Sequence, residues 1–357
     1  MLRKKNYFLV FLIIVFVVIS QISILAQVRD MTIKAAWGET LDPWSHGQSA
    51  FFNVLKYRVE SMSNGKMKVE LLPSDSVGTA PQRLDLLVRN TIQVTGSLPL
   101  GVIASKYAPI ADYATIPYLF SNALVALEVM KDPEISGYLN KRVIEDCGIR
   151  LMPETVQWEG LRYFTTKNKL ITKPEDLKGL KIRVMEGKMY VKTMQALGAN
   201  PVPIPWAELY TALQTNMVDG QENPPANIIY KSMQEVQNYM SGPGPFLAGG
   251  TALLKVNNEW WESLNPEEQL IFTEACKYAI QAHRGIFEVK NMEAMSKLSK
   301  DFKEIYLFDS KTINKFREKC QGPAIEYLKS KLNTEEQEFI DKLLKKVSLV
   351  EEELGYK

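Results

Sequence analysis

Short apolar segments alternate with amphipathic helical segments along most of this chain, beginning at Met31. A strand is predicted at Thr32 to Ala36, followed by a helix whose apolar side chains recur at helical spacing until Asn64-Gly65. Further strands are predicted at Met67 to Leu72 and at Ile92 to Gly96, on either side of a second helix. This β-α-β-α-β order predicts an α/β fold with a largely parallel sheet covered by helices on both faces.

The same alternation returns in the middle of the chain. After a short helical turn at 174–177, the predicted order is a strand at Lys181 to Met185, a helix around Met194, a strand at Val202 to Ile204, a helix at Ala207 to Thr215 and a strand at Met217 to Gln221. Two similar α/β halves predict two lobes, and a cleft between two lobes is a common place for a ligand.

The last third of the chain carries a helical pattern of unusual length. Asn265 can cap a helix, Pro266 suits its first turn, and the carboxylates of Glu267 and Glu268 are favourable near its positive end. The pattern then continues for roughly thirty residues, whereas helices of globular proteins usually have about 8–20. One helix of this length could run along both lobes, but two shorter helices with a kink near Gly285 also explain the pattern.

The N-terminal segment differs in composition from the rest. Basic residues at positions 3–5 precede a nearly unbroken apolar run from Tyr7 to Ile19 and a mixed stretch that ends at Ala26. This order predicts a secretory signal peptide over residues 1–26, cleaved near Ala26. Ile24 stands where a small residue is usual, so an uncleaved membrane anchor is the alternative. Because no later stretch is long and apolar enough to span a membrane, the chain is not expected to form a channel.

The net charge and the cysteine content restrict which partners and cofactors the chain is expected to bind. Removing the three basic residues of the signal segment leaves 40 basic and 41 acidic residues, a net charge of −1. A nearly neutral chain is a poor candidate for binding nucleic acid or an anionic membrane. Cys147, Cys276 and Cys320 show neither metal-ligand spacing nor a disulfide framework, although one pair could bond in an oxidising compartment. No metal or other cofactor is predicted.

The sequence offers little that resembles a catalytic site. The chain has two histidines, His46 and His283, and neither belongs to a triad or a metal-binding pattern. His283 falls within the long helical pattern, which favours a packing or surface role. No glycine-rich phosphate or dinucleotide loop is present. Ser63 and Lys66 have the spacing of serine–lysine hydrolases but fall on a turn, without the companion motifs. A binding protein is therefore predicted, not an enzyme.

Arginine and tryptophan residues at strand ends are the candidate ligand contacts. Arg162 and Arg183 lie beside turn residues at strand ends, where α/β proteins bind ligands, and a guanidinium matches a carboxylate in a bidentate pair. From spacing alone, a solvated charge at a strand end is the favoured interpretation of each arginine. Trp37, Trp158 and Trp206 could line an apolar cleft or pack in the core.

Five segments of the middle region resemble one protein family. They are WEGLR at 158–162, KPEDLKGLKIR at 173–183, LGANPVP at 197–203, ELYTALQ at 208–214 and VDGQENP at 218–224. The chain resembles the solute-binding component of a tripartite ATP-independent periplasmic (TRAP) transporter, of the dicarboxylate-binding (DctP) type. The resemblance extends over essentially the whole chain after residue 26, and the segments from 208 to 224 form its longest and most specific part.

The resemblance implies a two-lobed, flytrap-like periplasmic binding protein with a long C-terminal helix across both lobes. Residues 27–159 with about 249–288 are expected to form lobe one, and residues 160–248 with about 289–357 lobe two. The ligand implied is a small organic acid. The implied partners are the TRAP membrane subunits, which use an ion gradient, and the implied location is the periplasm, with the protein a monomer. A sensor subunit would need the same fold, so the sequence leaves sensing open beside transport.

The family motifs also assign roles to single residues. The arginine that ends the GLKIR strand pairs with the ligand carboxylate in such proteins, and here it is Arg183. Arg162 corresponds to a second arginine of the pocket, Asn223 to an asparagine at the cleft, and Trp206 to an aromatic residue that closes over the ligand. Ser97 is placed among the expected ligand contacts as well.

The sequence departs from the family pattern at some positions of the expected pocket. The segment GPGPF at 242–246 lacks a histidine that many relatives carry, and the position of Trp37 is often smaller or more polar in them. These changes leave Arg183 in place but put the usual C4-dicarboxylate ligand in question. Trp37, Trp158, Trp206 and Phe246 together suggest a bulkier or more apolar acid.

Overall fold

The computed structural model describes residues 27–356, so the predicted signal peptide at 1–26 lies outside the described residues. Within 27–356 there are thirteen strands: β1 Met31–Ala36, β2 Met67–Leu72, β3 Val94–Thr95, β4 Ile149–Leu151, β5 Val156–Leu161, β6 Tyr163–Thr166, β7 Lys181–Val184, β8 Asn200–Pro203, β9 Gly220–Asn223, β10 Tyr239–Gly242, β11 Leu247–Ala252, β12 Lys255–Asn257 and β13 Glu304–Leu307. The same residues form twelve α-helices: α1 Gly47–Met62, α2 Ala80–Val88, α3 Leu100–Lys106, α4 Ala123–Lys131, α5 Pro133–Cys147, α6 Lys188–Ala196, α7 Leu209–Gln214, α8 Pro225–Tyr230, α9 Asn258–Ser263, α10 Pro266–Asp301, α11 Ser310–Lys329 and α12 Thr334–Glu353. None of these helices is long and apolar enough to cross a membrane.

The first lobe is built on a five-stranded sheet in the order β2-β1-β3-β12-β4. Strand β1 is parallel to β2 and to β3, as the alternating pattern predicts. Strand β12 comes from much later in the chain and runs antiparallel to β3 and β4. Phe51, Phe52 and Leu55 of α1 are fully buried in the core of this lobe. The helix ends where Asn64 and Gly65 adopt left-handed backbone angles.

The second lobe holds a six-stranded sheet in the order β13-β10-β6-β9-β7-β8. Strand β7 is parallel to β8 and β9, whereas β6 is antiparallel to both β9 and β10. The strand predicted at 217–221 begins later, at Gly220. The shift arises because Asn216 takes a left-handed conformation and residues 216–219 form the turn after α7.

Two crossing strands join the lobes. Strand β5 leaves lobe one and pairs antiparallel with β11, which returns from lobe two. Gly249 lies so close to β5 that an added Cβ would stand 2.6 Å from a ring carbon of Trp158. A larger residue at this position would push the two strands apart, so the glycine permits the narrow ribbon.

Helix α10 is one uninterrupted helix of 36 residues, so the alternative of two helices kinked near Gly285 is wrong. Its start follows the predicted cap, because the Asn265 side chain accepts hydrogen bonds from the backbone N–H groups of Glu267 and Glu268, each at 3.0 Å. The N-terminal half, including Phe272, packs in the core of lobe one. The C-terminal half, including Leu298, packs in lobe two, so the helix spans both lobes as expected.

The lobe boundaries remain a proposal, with one change to the predicted division. Residues 289–357 were assigned to lobe two, but α12 packs on α4 and α5 of lobe one. The ring of Phe339 stacks on that of Tyr138, with centroids 4.2 Å apart, and Ile340 is buried in the same core. We therefore place α12 with lobe one, because its apolar face is buried there.

The three cysteines are free and lie apart in the fold. Cys276 is buried in the core of lobe one and Cys320 in that of lobe two, whereas Cys147 is half-buried at the end of α5. Burial raises the pKa of the Cys147 thiol to about 12, so this thiol is protonated and unreactive at neutral pH.

Candidate functional site

A cleft of about 1100 Å³, including its open mouth, separates the two lobes. Both lobes and the crossing strands contribute to its lining. Five of the residues predicted from the sequence line it: Ser97, Arg162, Arg183, Trp206 and Asn223. The fold therefore brings together residues that lie far apart in the sequence.

Arg183 is the third residue of β7, and its side chain is 2% exposed at the cleft. Its Nε donates to the backbone carbonyl of Ile204 at 2.9 Å, which fixes the plane of the guanidinium. Neither terminal nitrogen donates a hydrogen bond within the described chain. Burial, and then the charge of Arg162, lowers the pKa of Arg183 to about 10, so the group stays positive at neutral pH. Arg183 is therefore a positive charge whose two terminal nitrogens have no hydrogen-bond acceptor within residues 27–356.

Arg162 also lines the cleft, but Glu222 already occupies its guanidinium. The Arg162 Nη2 atom donates to Glu222 Oε1 at 2.9 Å and to the Glu222 carbonyl at 2.6 Å, and its Nε donates to the second carboxylate oxygen. Burial acts to lower the pKa of Arg162, but the neighbouring carboxylate raises it above its usual value. The pairing of β6 with β9 places Phe164 opposite Glu222 and so carries the carboxylate to Arg162. Glu222 therefore uses the Nε and Nη2 atoms of Arg162, which leaves Arg162 fewer donors for a ligand than Arg183 has.

Asparagines of β9 and α8 supply amide groups at the back of the cleft. The Asn223 side-chain N–H donates to Gln221 Oε1, and Asn223 is buried. The Oδ1 atom of Asn227 lies 3.0 Å from His46 Nε2, which links lobe two to lobe one. His46 Nδ1 accepts the backbone N–H of Gln48 at 3.1 Å, so the ring proton is on Nε2 and points to Asn227. Sequence analysis missed both His46 and Asn227 as part of this region.

Lobe one lines the cleft with charged side chains that sequence analysis did not select. The guanidinium of Arg83 forms an ion pair with Asp75 and donates to the carbonyl oxygens of Gly78, at 2.8 Å, and Ser97, at 2.9 Å. The Ser97 hydroxyl donates to the carboxylate of Glu39. A signal for Arg83 exists in the sequence, because it is a charge on the apolar face of α2, three and four residues from Leu86 and Leu87.

A second charged group of the cleft lies around Glu159. Gln48 Nε2 donates to Glu159 Oε1 at 3.3 Å, and burial raises the pKa of this carboxyl group. Lys255 also lines the cleft, and burial lowers the pKa of its ammonium group to about 7. His283, predicted to have a packing or surface role, is fully buried near Glu159, and burial lowers its pKa to about 3, which keeps it neutral. In the sequence, Lys255 is a charged residue within the otherwise apolar run 252–256, and this position indicates that it is buried.

Only one of the predicted aromatic residues lines the cleft. Trp206 is half-buried there, and Lys231 Nζ lies 5.0 Å from the centre of its ring. Trp37 is fully buried in lobe one, stacked on Phe52 with ring centroids 4.5 Å apart.

The two other aromatic candidates lie behind the cleft lining. Trp158 packs on the crossing strand at Gly249, on the edge of the lobe-one core. The rings of Phe246 and Tyr190 pack edge to face with their centroids 4.9 Å apart. Of these two residues, Tyr190 lines the cleft. Since three of the four predicted aromatics are outside the lining, they give no support for an apolar acid.

Comparison with known proteins agrees with this architecture. Residues 39–348 match the profile of a family described as bacterial extracellular solute-binding protein, family 7, or DctP. An uncharacterized protein of Haemophilus influenzae is 31% identical over 73% of this chain and 76% of its own length. The C4-dicarboxylate-binding periplasmic protein DctP of Rhodobacter capsulatus is 26% identical over 66% of this chain and 68% of its own.

A solved structure is similar over nearly the whole described chain. The sugar acid binding protein DctPAm of Advenella mimigardefordensis, crystallised with galactonate, is 27% identical, with a TM-score of 0.77. The alignment covers 90% of this chain and 99% of that protein. The similarity thus extends across both lobes and α10.

Proposed function

This chain belongs to the DctP family of bacterial extracellular solute-binding proteins, and we propose that it captures a small organic acid through a carboxylate–Arg183 pair. The family consists of solute-binding proteins and not of enzymes. Relatives bind C4-dicarboxylates and galactonate, as their names state, which supports an organic acid as the ligand class here.

The observation that carries the proposal is the state of Arg183. Its Nε is fixed by Ile204, and its terminal nitrogens face the cleft without an acceptor in the described chain. A buried guanidinium is stable only when its donors are satisfied, and a carboxylate fits two of them at once. Arg162 is already paired with Glu222, so Arg183 is the arginine that a ligand carboxylate would meet.

Closure of the lobes would strengthen this pair. Asn223 and Trp206 lie on the same lobe as Arg183, and the Trp206 Nε1 atom is buried without a hydrogen-bond partner among residues 27–356. A ligand held by these groups would contact lobe one from across the cleft. As the lobes approach and water leaves, the effective dielectric constant falls and each charged hydrogen bond gains strength.

Export and delivery complete the proposed role. The signal peptide at 1–26, cleaved near Ala26, would take the protein to the periplasm, where family members act. There the loaded monomer would dock on TRAP membrane subunits, which move the acid with an ion gradient. The nearly neutral charge after cleavage suits diffusion to a protein partner better than adhesion to a membrane.

A thermal-shift screen across organic acids tests the proposed capture. A ligand at a hundredfold excess over its Kd should stabilise the folded protein by about 2.7 kcal/mol. Arg183→Ala should abolish the shift, whereas Arg89→Ala, at an exposed position outside the cleft, should retain it. If no acid raises the melting temperature, or if Arg183→Ala responds like the parent protein, the proposed function is wrong.

A further inference from the structure

The charges of the cleft are distributed unevenly between its two walls. Ion pairs already occupy two arginines, Arg162 with Glu222 on lobe two and Arg83 with Asp75 on lobe one. Once these pairs are set aside, the wall of lobe two offers Arg183 as a buried cation with unused donors. The Glu186 carboxylate also lines lobe two and interacts with Arg183, whereas the wall of lobe one offers the carboxylates of Glu39 and Glu159.

Glu39 is one of the carboxylates of that wall. It follows β1, is 6% exposed and lines the cleft. One oxygen, Oε2, accepts the Ser97 hydroxyl, and the other has no hydrogen-bond partner within residues 27–356. The oxygens of an ionised carboxylate only accept, so they can be satisfied by an N–H or O–H group but not by a second ionised carboxylate.

Glu159 of β5 repeats this arrangement. Its Oε1 accepts Gln48 Nε2 at 3.3 Å, and its Oε2 has no donor in the described chain. Burial raises the pKa of Glu159, and the charge of Glu39 adds to the effect, so the two carboxylates are close enough to interact. Together they form an acceptor pair on lobe one.

The cations of lobe one are poorly placed to bind a second carboxylate. Arg83 already donates to Asp75, Gly78 and Ser97. Lys255 donates to the Leu253 carbonyl at 3.1 Å. Burial lowers the pKa of Lys255, and the negative charge of Glu159 partly offsets this effect. Lys231 of lobe two lies against the Trp206 ring and is not among the lining residues.

We propose that Glu39 and Glu159 determine specificity by accepting hydrogen bonds from hydroxyl or ammonium groups at the end of the ligand remote from Arg183. A second carboxylate at that end would be repelled, so the site prefers a monocarboxylate rich in donors over a dicarboxylate of equal length. The inference rests on the proposed function, because it places the ligand carboxylate at Arg183.

Calorimetry with acids of matched length tests the preference. The six-carbon set is gluconate, 6-aminohexanoate, adipate and hexanoate, and the four-carbon set is 4-aminobutyrate, succinate and butyrate. The tightest donor-bearing acid should bind at least about tenfold more tightly than the dicarboxylate of the same length, since a hydrogen bond to a charged group is lost and a repulsion gained. Comparing the affinities of gluconate and 6-aminohexanoate shows whether the site prefers hydroxyl or ammonium donors.

Glu39→Gln provides the residue-level test. It keeps the shape of the side chain but removes the charge, so the preference over the dicarboxylate should fall by about tenfold. Glu70→Gln, the same change at an exposed position of β2, should leave the preference unchanged.

Two outcomes would overturn the inference: a dicarboxylate or an unsubstituted acid that binds most tightly at both lengths, or an equal preference in Glu39→Gln and the parent. In either case, affinity that still depends on Arg183 would leave the proposed function intact. Absence of binding by every acid would instead contradict the proposed function and, with it, this inference.

Discussion

Arg162, the residue before β6, forms a buried ion pair with Glu222 of β9, whereas both terminal nitrogens of Arg183 lack an acceptor within residues 27–356. Arg162 and Glu222 are 60 positions apart in the chain. Because a paired guanidinium has fewer donors to offer, this contact separates the roles of two arginines that look alike in the sequence. It also leads to distinct expectations for their replacement.

Replacing Arg183 should weaken acid binding without unfolding the protein. Arg183→Ala removes the partner of a buried carboxylate, which costs roughly 3–5 kcal/mol, or about a hundredfold or more in affinity. Arg183→Lys should also lose much of the affinity, because an ammonium group cannot form the bidentate pair. Isothermal titration calorimetry measures both, and unchanged affinity in Arg183→Ala would contradict the assignment.

Breaking the Arg162–Glu222 pair should lower stability. Glu222→Ala leaves a buried guanidinium unpaired, and the free energy of unfolding should fall by about 3–5 kcal/mol in chemical denaturation. The matched control is Glu274→Ala, which breaks the exposed Lys277–Glu274 pair and should change stability by less than about 1 kcal/mol. Equal effects of the two changes would show that the buried pair does not stabilise lobe two.

We expect Trp37 to stabilise the fold and Trp206 to contribute to ligand binding. Trp37→Ala removes a fully buried ring stacked on Phe52 and should cost about 3–5 kcal/mol of stability. Trp206→Ala should change the melting temperature much less, because the side chain is half-buried, yet it should weaken acid binding. Denaturation and calorimetry on both variants would reveal the opposite pattern if Trp37 were the ligand contact.

Asp112 should make stability depend on pH. It is buried in lobe one, with its carboxyl group 3.1 Å from the Thr115 hydroxyl, and burial raises its pKa to about 7. The unfolded chain has an Asp pKa near 3.9, so the folded state binds the proton more tightly. The contribution of Asp112 to stability is therefore full below about pH 4 and is lost as the pH rises to about 7.

Asp112→Asn removes this ionisation. It should raise the free energy of unfolding at pH 8, by up to about 4 kcal/mol at 1.36 kcal/mol per pKa unit, and change it little at pH 4. Asp30→Asn, at an exposed position, is the control and should give the same small change at both pH values. An Asp112→Asn effect that does not vary with pH would contradict the raised pKa.

The family motifs predicted more of the site than side-chain spacing did. Arg183, Arg162, Asn223, Trp206 and Ser97 all line the cleft, although their roles in binding remain predictions. Trp37, Trp158 and Phe246 are predicted from residue type and position in the sequence, and an aromatic ring near a strand end packs inward as readily as into a cleft. Glu39 and Glu159 were missed, because an isolated carboxylate in a sequence carries no sign that it will be buried.

Local patterns in the sequence were enough to determine the alternation of strands and helices, the cap at Asn265 and the unusual length of α10. These features depend on neighbouring residues, whose periodicity and hydrogen bonding are set within a few positions. Only the tertiary structure decided that Glu222 pairs with Arg162, that α12 returns to lobe one, and that Arg183 lines the same cleft as Glu39 and Glu159. Such contacts join residues far apart in the chain, and whether a charge is paired or open depends on which groups the fold buries beside it.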